Sequence, residues 1–278
     1  MEMQQTRVGL QSGSKGEAMN WKKLCLMAFS TAVLFSLPFV ANAQDALPIG
    51  FLVHTLAIKT ANGIGSSFLV NHKGKIYLVT AGHVVRGLAS ADTPVQVLKD
   101  GVWRPIHVVK VLHPPSAKVD IAVLKTELEA KPSEAIQLDD DDNEDVMMGQ
   151  SVWFLGYPSA DLLHSYFQGH KEMAFVKRGS MSAMDGKDPD AVILYIDGIN
   201  NKGFSGGPIL YFDLNKHEYR IIGVVEGYKF ENAEELIGGK AVETKLLVNS
   251  GILVGYSIVH AIQAMEQDER KSTDANVP

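Results

Sequence analysis

The sequence predicts an all-β chain: two antiparallel β-barrels in tandem, closed by a C-terminal helix. Three observations carry that prediction. Short runs rich in Val, Ile, Leu, Tyr and Phe recur at even spacing from residue 51 to residue 225, with no stretch of about 10–15 residues in helical period between them. The 25 glycines and 11 prolines fall largely between those runs, as turn punctuation. A helical period emerges only near the end, where Ile258, Ile262 and Met265 share one face, Ser257 is a ready N-cap, and Glu266–Pro278 follows as a polar tail.

The chain opens with a processing signature. Met19-Asn-Trp-Lys-Lys23 supplies positive charge, Leu24–Val40 is apolar, and Ala41-Asn-Ala43 is a small-x-small cleavage site. That run of seventeen residues, interrupted by Ser30, Thr31 and Ser36, falls short of the ~20 apolar residues that span a bilayer. Residues 1–43 therefore read as an N-terminal extension and a signal peptide cut after Ala43, and the mature chain as exported, to a periplasm or to the medium. No stable membrane insertion is expected after cleavage. The single cysteine, Cys25, lies in the removed segment, so the mature chain would carry neither thiol nor disulfide. Removing residues 1–43 takes four basic and two acidic residues from a chain with 26 and 32, which leaves a net charge of −8. An acidic balance of that size argues against nucleic acid as a partner. No phosphate loop, zinc-ligand spacing or dinucleotide fingerprint occurs, so no cofactor and no metal are expected.

Within residues 44–137 the expected strands are Phe51–Ile58, Ser67–Val70, Lys75–Thr80, Val95–Leu98, Val108–Leu112 and Ile121–Leu124. Residues 138–150 contain the acidic run Leu138-Asp-Asp-Asp-Asp-Asn-Glu-Asp145. That run lacks the ligand spacing and central glycine of a calcium loop, and reads as a solvated linker. Residues 151–256 repeat the rhythm with Ser151–Leu155, Met173–Lys177, Ala191–Ile196, Pro208–Phe212 and Ile221–Val225. Glu231–Val242, rich in charge and glycine, reads as a surface loop, and residues 257–278 as helix and tail.

Three segments carry chemistry. Asn201-Lys-Gly-Phe-Ser-Gly-Gly-Pro208 sets Ser205 among glycines whose backbone can turn sharply and present a hydroxyl. The same loop can aim the N–H groups of Gly203 and Ser205 at a developing oxyanion. Tyr77-Leu-Val-Thr-Ala-Gly-His-Val-Val85 delivers His83 at the end of an apolar strand, and Val119-Asp-Ile-Ala-Val-Leu-Lys125 sets Asp120 at the mouth of another. A hydroxyl becomes a competent nucleophile when an imidazole takes its proton, and a carboxylate fixes the tautomer of that imidazole. The candidate catalytic residues are thus His83, Asp120 and Ser205.

In these segments the chain resembles the trypsin-like serine peptidases, whose triad runs His, Asp, Ser within Thr-Ala-Gly-His, Asp-Ile-Ala-Val-Leu and Gly-x-Ser-Gly-Gly-Pro. Met148-Gly-Gln-Ser-Val-Trp-Phe-Leu-Gly-Tyr-Pro158 is similar to the opening strand of the second barrel in the periplasmic high-temperature-requirement branch, and Gly251-Ile-Leu-Val254 with the following helix resembles the last strand and closing helix of the fold. The resemblance covers most of residues 48–268 and leaves no room for an appended peptide-binding PDZ domain. It implies two six-stranded antiparallel β-barrels with a C-terminal helix, and a serine endopeptidase that cuts polypeptide through an acyl-enzyme. It also implies pocket walls from Asp197–Lys202, Val225–Tyr228 and Ser250–Leu253, with Ile199, Val225, Glu226, Tyr228 and Gly251 as substrate-binding residues. Phe204 replaces the aspartate by which the digestive branch captures a newly cut N-terminus, so activation by that route is not expected. Lys202 stands where the periplasmic branch usually has proline. The alternative function is a catalytically inactive protease-fold protein that binds an extended peptide by strand addition, and the same acyl chemistry would also serve an esterase.

Overall fold

The structure, a computed structural model, describes residues 46–88, 94–128, 130–139, 146–158, 165–167, 170–237 and 240–274. The expected signal peptide with Cys25, residues 140–145 of the acidic run and Gly238-Gly239 lie outside them. No helix among the described residues is long and apolar enough to cross a membrane.

A single-turn helix, α1 (Ile49–Val53), follows Pro48 and precedes the first lobe. The strands of that lobe are β1 (Thr55–Thr60), β2 (Gly63–His72), β3 (Lys75–Ala81), β4 (Val95–Lys99), β5 (Val102–Ile106), β6 (Val108–Leu112), β7 (Ile121–Thr126) and β8 (Ile136–Gln137). They pair in the order β5-β4-β1-β2-β3-β7-β6, and β8 adds to β2 in parallel. The second lobe contains β9 (Ser151–Gly156), β12 (Phe175–Asp185), β13 (Ile193–Asp197), β14 (Pro208–Asp213), β15 (Glu218–Ile237) and β16 (Lys240–Ser257), closed into a barrel in the order β12-β13-β16-β15-β14-β9. Between β9 and β12, β10 (Ser165–Phe167) and β11 (His170–Met173) form a separate ribbon. Helix α2 (Val259–Asp274) ends the described chain. This is the all-β, two-lobed architecture with a terminal helix that the sequence predicts.

The apolar runs Ile76–Val79 of β3 and Ile121–Leu124 of β7 follow from the burial of both faces of those strands. Tyr77 and Val79 of β3 join Ile121 and Val123 of β7 in a core that also holds Leu155, Leu210, Ile258 and Met265. The alternate residues Leu78, Ala122 and Leu124 fill a second core inside the first lobe. A third core, with Phe154, Met181, Ile196, Phe204, Tyr211 and Leu253, fills the closed barrel.

Four local expectations change. Phe51–Val53 is helix, and the strand begins at Thr55, whose hydroxyl donates to Phe51 O at 2.8 Å. Strand β5 was masked by Pro105, yet Asp100 and Gly101 both take positive φ (55° and 74°) in the hairpin turn that an Asp-Gly pair favours. The strand expected at Met173–Lys177 is divided: Met173 ends β11, and β12 runs from Phe175 to Asp185. Glu231–Val242 is a hairpin arm in which Phe230, Asn232 and Ala233 face Asn249, Leu247 and Leu246 across the ladder. Phe230, Leu246 and Leu247 of that arm are exposed, and its charged, glycine-rich composition reads as a loop.

Helix α2 also runs further than its polar sequence suggests, because the first lobe meets its charges. Lys73 and Lys75 pair with Glu266 and Glu269 at 3.1 and 3.0 Å, and Lys110 and Lys125 converge on Asp268 at 2.5 and 2.9 Å. The side chain of Asp268 is 4% exposed. Burial acts to raise its pKa, but hydrogen bonds from Lys110 and Lys125 outweigh that and hold it below the usual carboxylate range. A carboxylate whose folded pKa is depressed contributes stability above its unfolded pKa, and the contribution is lost as pH falls through the folded value. Asp268→Asn is therefore expected to cost about 1–2 kcal/mol at pH 7. This is less than the ~3–5 kcal/mol for a fully buried pair, because both ammonium groups keep water contact. Urea unfolding of both proteins should show that difference at pH 7 and a narrowing gap toward pH 3.

Candidate active site

The register of β3 against β7 brings two of the candidate residues together. Ala81 pairs with Ile121, so the residues just beyond this end of the ladder are neighbours. Gly82 N–H donates to Asp120 O at 3.0 Å, and a Cβ on Gly82 would lie 2.9 Å from Asp120 Oδ1. Glycine is required there for close approach. The chain then turns through a short 3₁₀ segment, Gly82–Val85, anchored by buried Val84 and Val85, and His83 points back so that its Nδ1 meets Asp120 Oδ2 at 2.5 Å. Both side chains keep partial access to solvent, at 37% and 21%.

Ser205 comes from the second lobe, on two consecutive tight turns. Phe204 N–H donates to Asn201 O at 3.2 Å, and Gly207 N–H to Phe204 O at 2.9 Å. Each turn has glycine with positive φ at its third position, Gly203 at 103° and Gly206 at 87°, as a type II turn demands. The N–H groups of Gly203 and Ser205 find no hydrogen-bond partner among the described residues. Below the loop, Gly206 N–H donates to Val225 O at 2.7 Å and Val225 N–H to Gly207 O at 2.9 Å. Val225 thus supports the loop through its backbone, while its side chain is fully buried in the barrel core.

The first lobe grips this loop through Ser66, a residue that sequence reasoning missed. Ser66 N–H donates to Ser205 O at 2.8 Å, and its hydroxyl donates to Gly203 O at 2.7 Å and accepts from Tyr157 N–H at 3.0 Å. Thr80 Oγ1 donates to Ser66 O at 2.7 Å, which links the grip to the strand that ends before His83. Small Gly65 and Ser66 in the buried part of β2 were the available signal of close backbone approach.

Glu226 joins the two halves. Its carbonyl oxygen accepts the Ser205 hydroxyl at 2.9 Å, and its half-buried side chain lies in the field of Asp120 and His83. Burial first, and then the charge of Asp120, push its carboxyl pKa up. The other expected pocket residues lie on the segment before Ser205 and on β15 and β16. Ile199 is 65% exposed, Gly251 O accepts Gly198 N–H at 2.8 Å, and Tyr228 stands against Phe230 at 4.8 Å between ring centres. Buried Asn200 donates to Gly227 O at 3.1 Å, and Asn249 donates to Asn200 O at 2.8 Å, so the base of the hairpin arm is tied to the segment before Ser205.

This geometry places a carboxylate, an imidazole, a hydroxyl and two free N–H donors in one interlobe region, a set suited to acyl transfer. Comparison with known proteins agrees with the fold. The model of the trypsin-like peptidase domain matches residues 65–224. No curated protein matches the chain. A Glu endopeptidase in complex with MPD is 18% identical, with 84% of this chain and 95% of that chain covered and a TM-score of 0.50, which shows a shared fold. The Rv3671c protease of M. tuberculosis in an inactive form is 17% identical over 78% of this chain and 89% of that one, at a TM-score of 0.49. The HtrA-type protease AlgW with a tripeptide is 21% identical over 77% of this chain and 60% of that one, at 0.48. The family model spans more than half of the sequence, and the chain belongs to the family of trypsin-like peptidase domains.

Proposed function

We propose that this peptidase is an exported serine endopeptidase that hydrolyses polypeptide through an acyl-enzyme. The observation that carries the reading is the 2.5 Å contact between His83 Nδ1 and Asp120 Oδ2, beside a loop whose serine is tied to the same locality through Glu226. Asp120 holds the Nδ1–H tautomer and leaves Nε2 free to act as base. At rest the Ser205 proton rests on Glu226 O. It must pass to His83 Nε2 as Oγ attacks the scissile carbonyl. The oxygen of that carbonyl, now negative, is received by the N–H groups of Gly203 and Ser205. His83 then returns the proton to the departing amine, and water repeats the sequence on the ester. Export rests on the charged, apolar and small-residue succession of residues 19–43, and the catalytic domain on residues 44–278.

Labelling with a fluorophosphonate tests this directly. The mature protein should label stoichiometrically at Ser205, and Ser205→Ala should not label. Resistance of the native protein to labelling under several buffer conditions would sink the enzymatic reading and favour a peptide-binding role.

A further inference from the structure

The oxyanion loop needs support from behind as well as from Ser66, and one cation of the second lobe supplies it. Lys177 lies on β12 opposite Phe154 in register. Its Nζ donates to Ile199 O at 2.8 Å and to Asn201 Oδ1, and sits 5.4 Å from the centre of the Phe204 ring. All three contacts fall within the six residues before Ser205. The Phe204 ring is fully buried, edge-on to Phe154 at 5.7 Å, and fits there because Gly156 has no side chain: a Cβ on Gly156 would lie 2.7 Å from the ring. Asn201, gripped through its side chain by Lys177, is also the residue whose carbonyl closes the turn that carries Gly203. The ammonium therefore acts on both ends of the turn that aims the Gly203 N–H. Burial of its half-covered stem lowers its pKa from the ordinary lysine value. A chain of carbon of equal length would fill the same space, so the charge is what the loop uses: charge-assisted hydrogen bonds and attraction to the ring face.

We propose that Lys177 is a positioning residue that holds the segment from Ile199 to Phe204 in the shape that receives the oxyanion, without a newly cut chain end. The proposal rests on the serine peptidase reading for its catalytic consequence but not for its structural one. Lys177→Met keeps the stem and removes the charge, and Lys177→Arg keeps the charge. In the full mature chain, Lys177→Met is expected to lower kcat and kcat/KM together by about 10- to 100-fold. That is somewhat less than the ~10²–10³ for outright loss of an oxyanion donor, and KM should move less than about threefold. Amide exchange in residues 199–204 should quicken at least about tenfold with the Tm held, and Lys177→Arg should recover most of the rate. Unchanged exchange in Lys177→Met would overturn the proposal. So would faster exchange across the whole second barrel with a lowered Tm and no recovery by arginine. Should the parent chain neither label nor hydrolyse, the peptidase reading falls, while exchange in residues 199–204 still decides what Lys177 does.

Discussion

Ser205→Ala is expected to reduce kcat for peptide hydrolysis by about 10⁶-fold, and His83→Ala by a similar factor, with the double variant no slower than either. The two side chains act in one step: without the hydroxyl the base has no proton to take, and without the base the hydroxyl does not attack. The residual rate should stay about 10³–10⁴-fold above water, because the Gly203 and Ser205 N–H groups and the binding cleft remain. Asp120→Asn is expected to fall between, at about 10⁴-fold, since the amide presents Nδ2–H to the imidazole and favours the tautomer with its proton on Nε2. Stability is expected to change little. Ser205→Ala leaves the Glu226 carbonyl without its donor, a loss of about 1 kcal/mol at a partly buried site. Steady-state kinetics of the three single variants and the Ser205→Ala/His83→Ala pair decide the matter. Additive losses, or a fall of only tenfold at either residue, would mean that Ser205 and His83 do not work together.

The residues of this pair and its serine were legible because their local requirements are severe. A histidine just beyond a buried strand, after Ala-Gly, and an aspartate just before another leave marks in a single sequence, and the β3–β7 register joins them. What holds the serine loop was not legible. Ser66 acts through its backbone and a hydroxyl 139 positions before the nucleophile, and the small residues Gly65 and Ser66 signal a close backbone approach without naming the partner. Lys177 was hidden likewise, since a lysine in a strand ordinarily points to solvent. Among the elements, β5 and the hairpin arm escaped because their pairing rests on backbone hydrogen bonds and turn chemistry, while their side chains are polar or interrupted by proline. Asp100-Gly101 and Gly238-Gly239 were the signals available for both.

Gly206→Ala should be severely damaging, and two separate physical costs make it so. Its φ of 87° lies where an L side chain costs about 1–2 kcal/mol. A Cβ there would also meet Ser66 O at 2.2 Å, Thr80 Oγ1 at 2.3 Å and Ala81 N at 2.7 Å. Two of those atoms are backbone of the first lobe, so the clash cannot be relieved by a side-chain rotation and the lobes must part. Overpacking of that kind adds about 1–3 kcal/mol, and the sum is a large share of an ordinary stability of about 5–15 kcal/mol. Two other glycines separate the terms. Gly87 has φ 81° with open space around its Cβ position, so Gly87→Ala carries the conformational cost alone. Gly186 has neither constraint, and Gly186→Ala is expected to be neutral or slightly stabilising. Denaturant midpoints should therefore fall in the order Gly186→Ala, Gly87→Ala, Gly206→Ala, with activity lost only in the last. If Gly206→Ala matched Gly87→Ala, the lobes would not meet at this loop as closely as the contact with Ser66 requires, and the shared cleft would lose its physical basis.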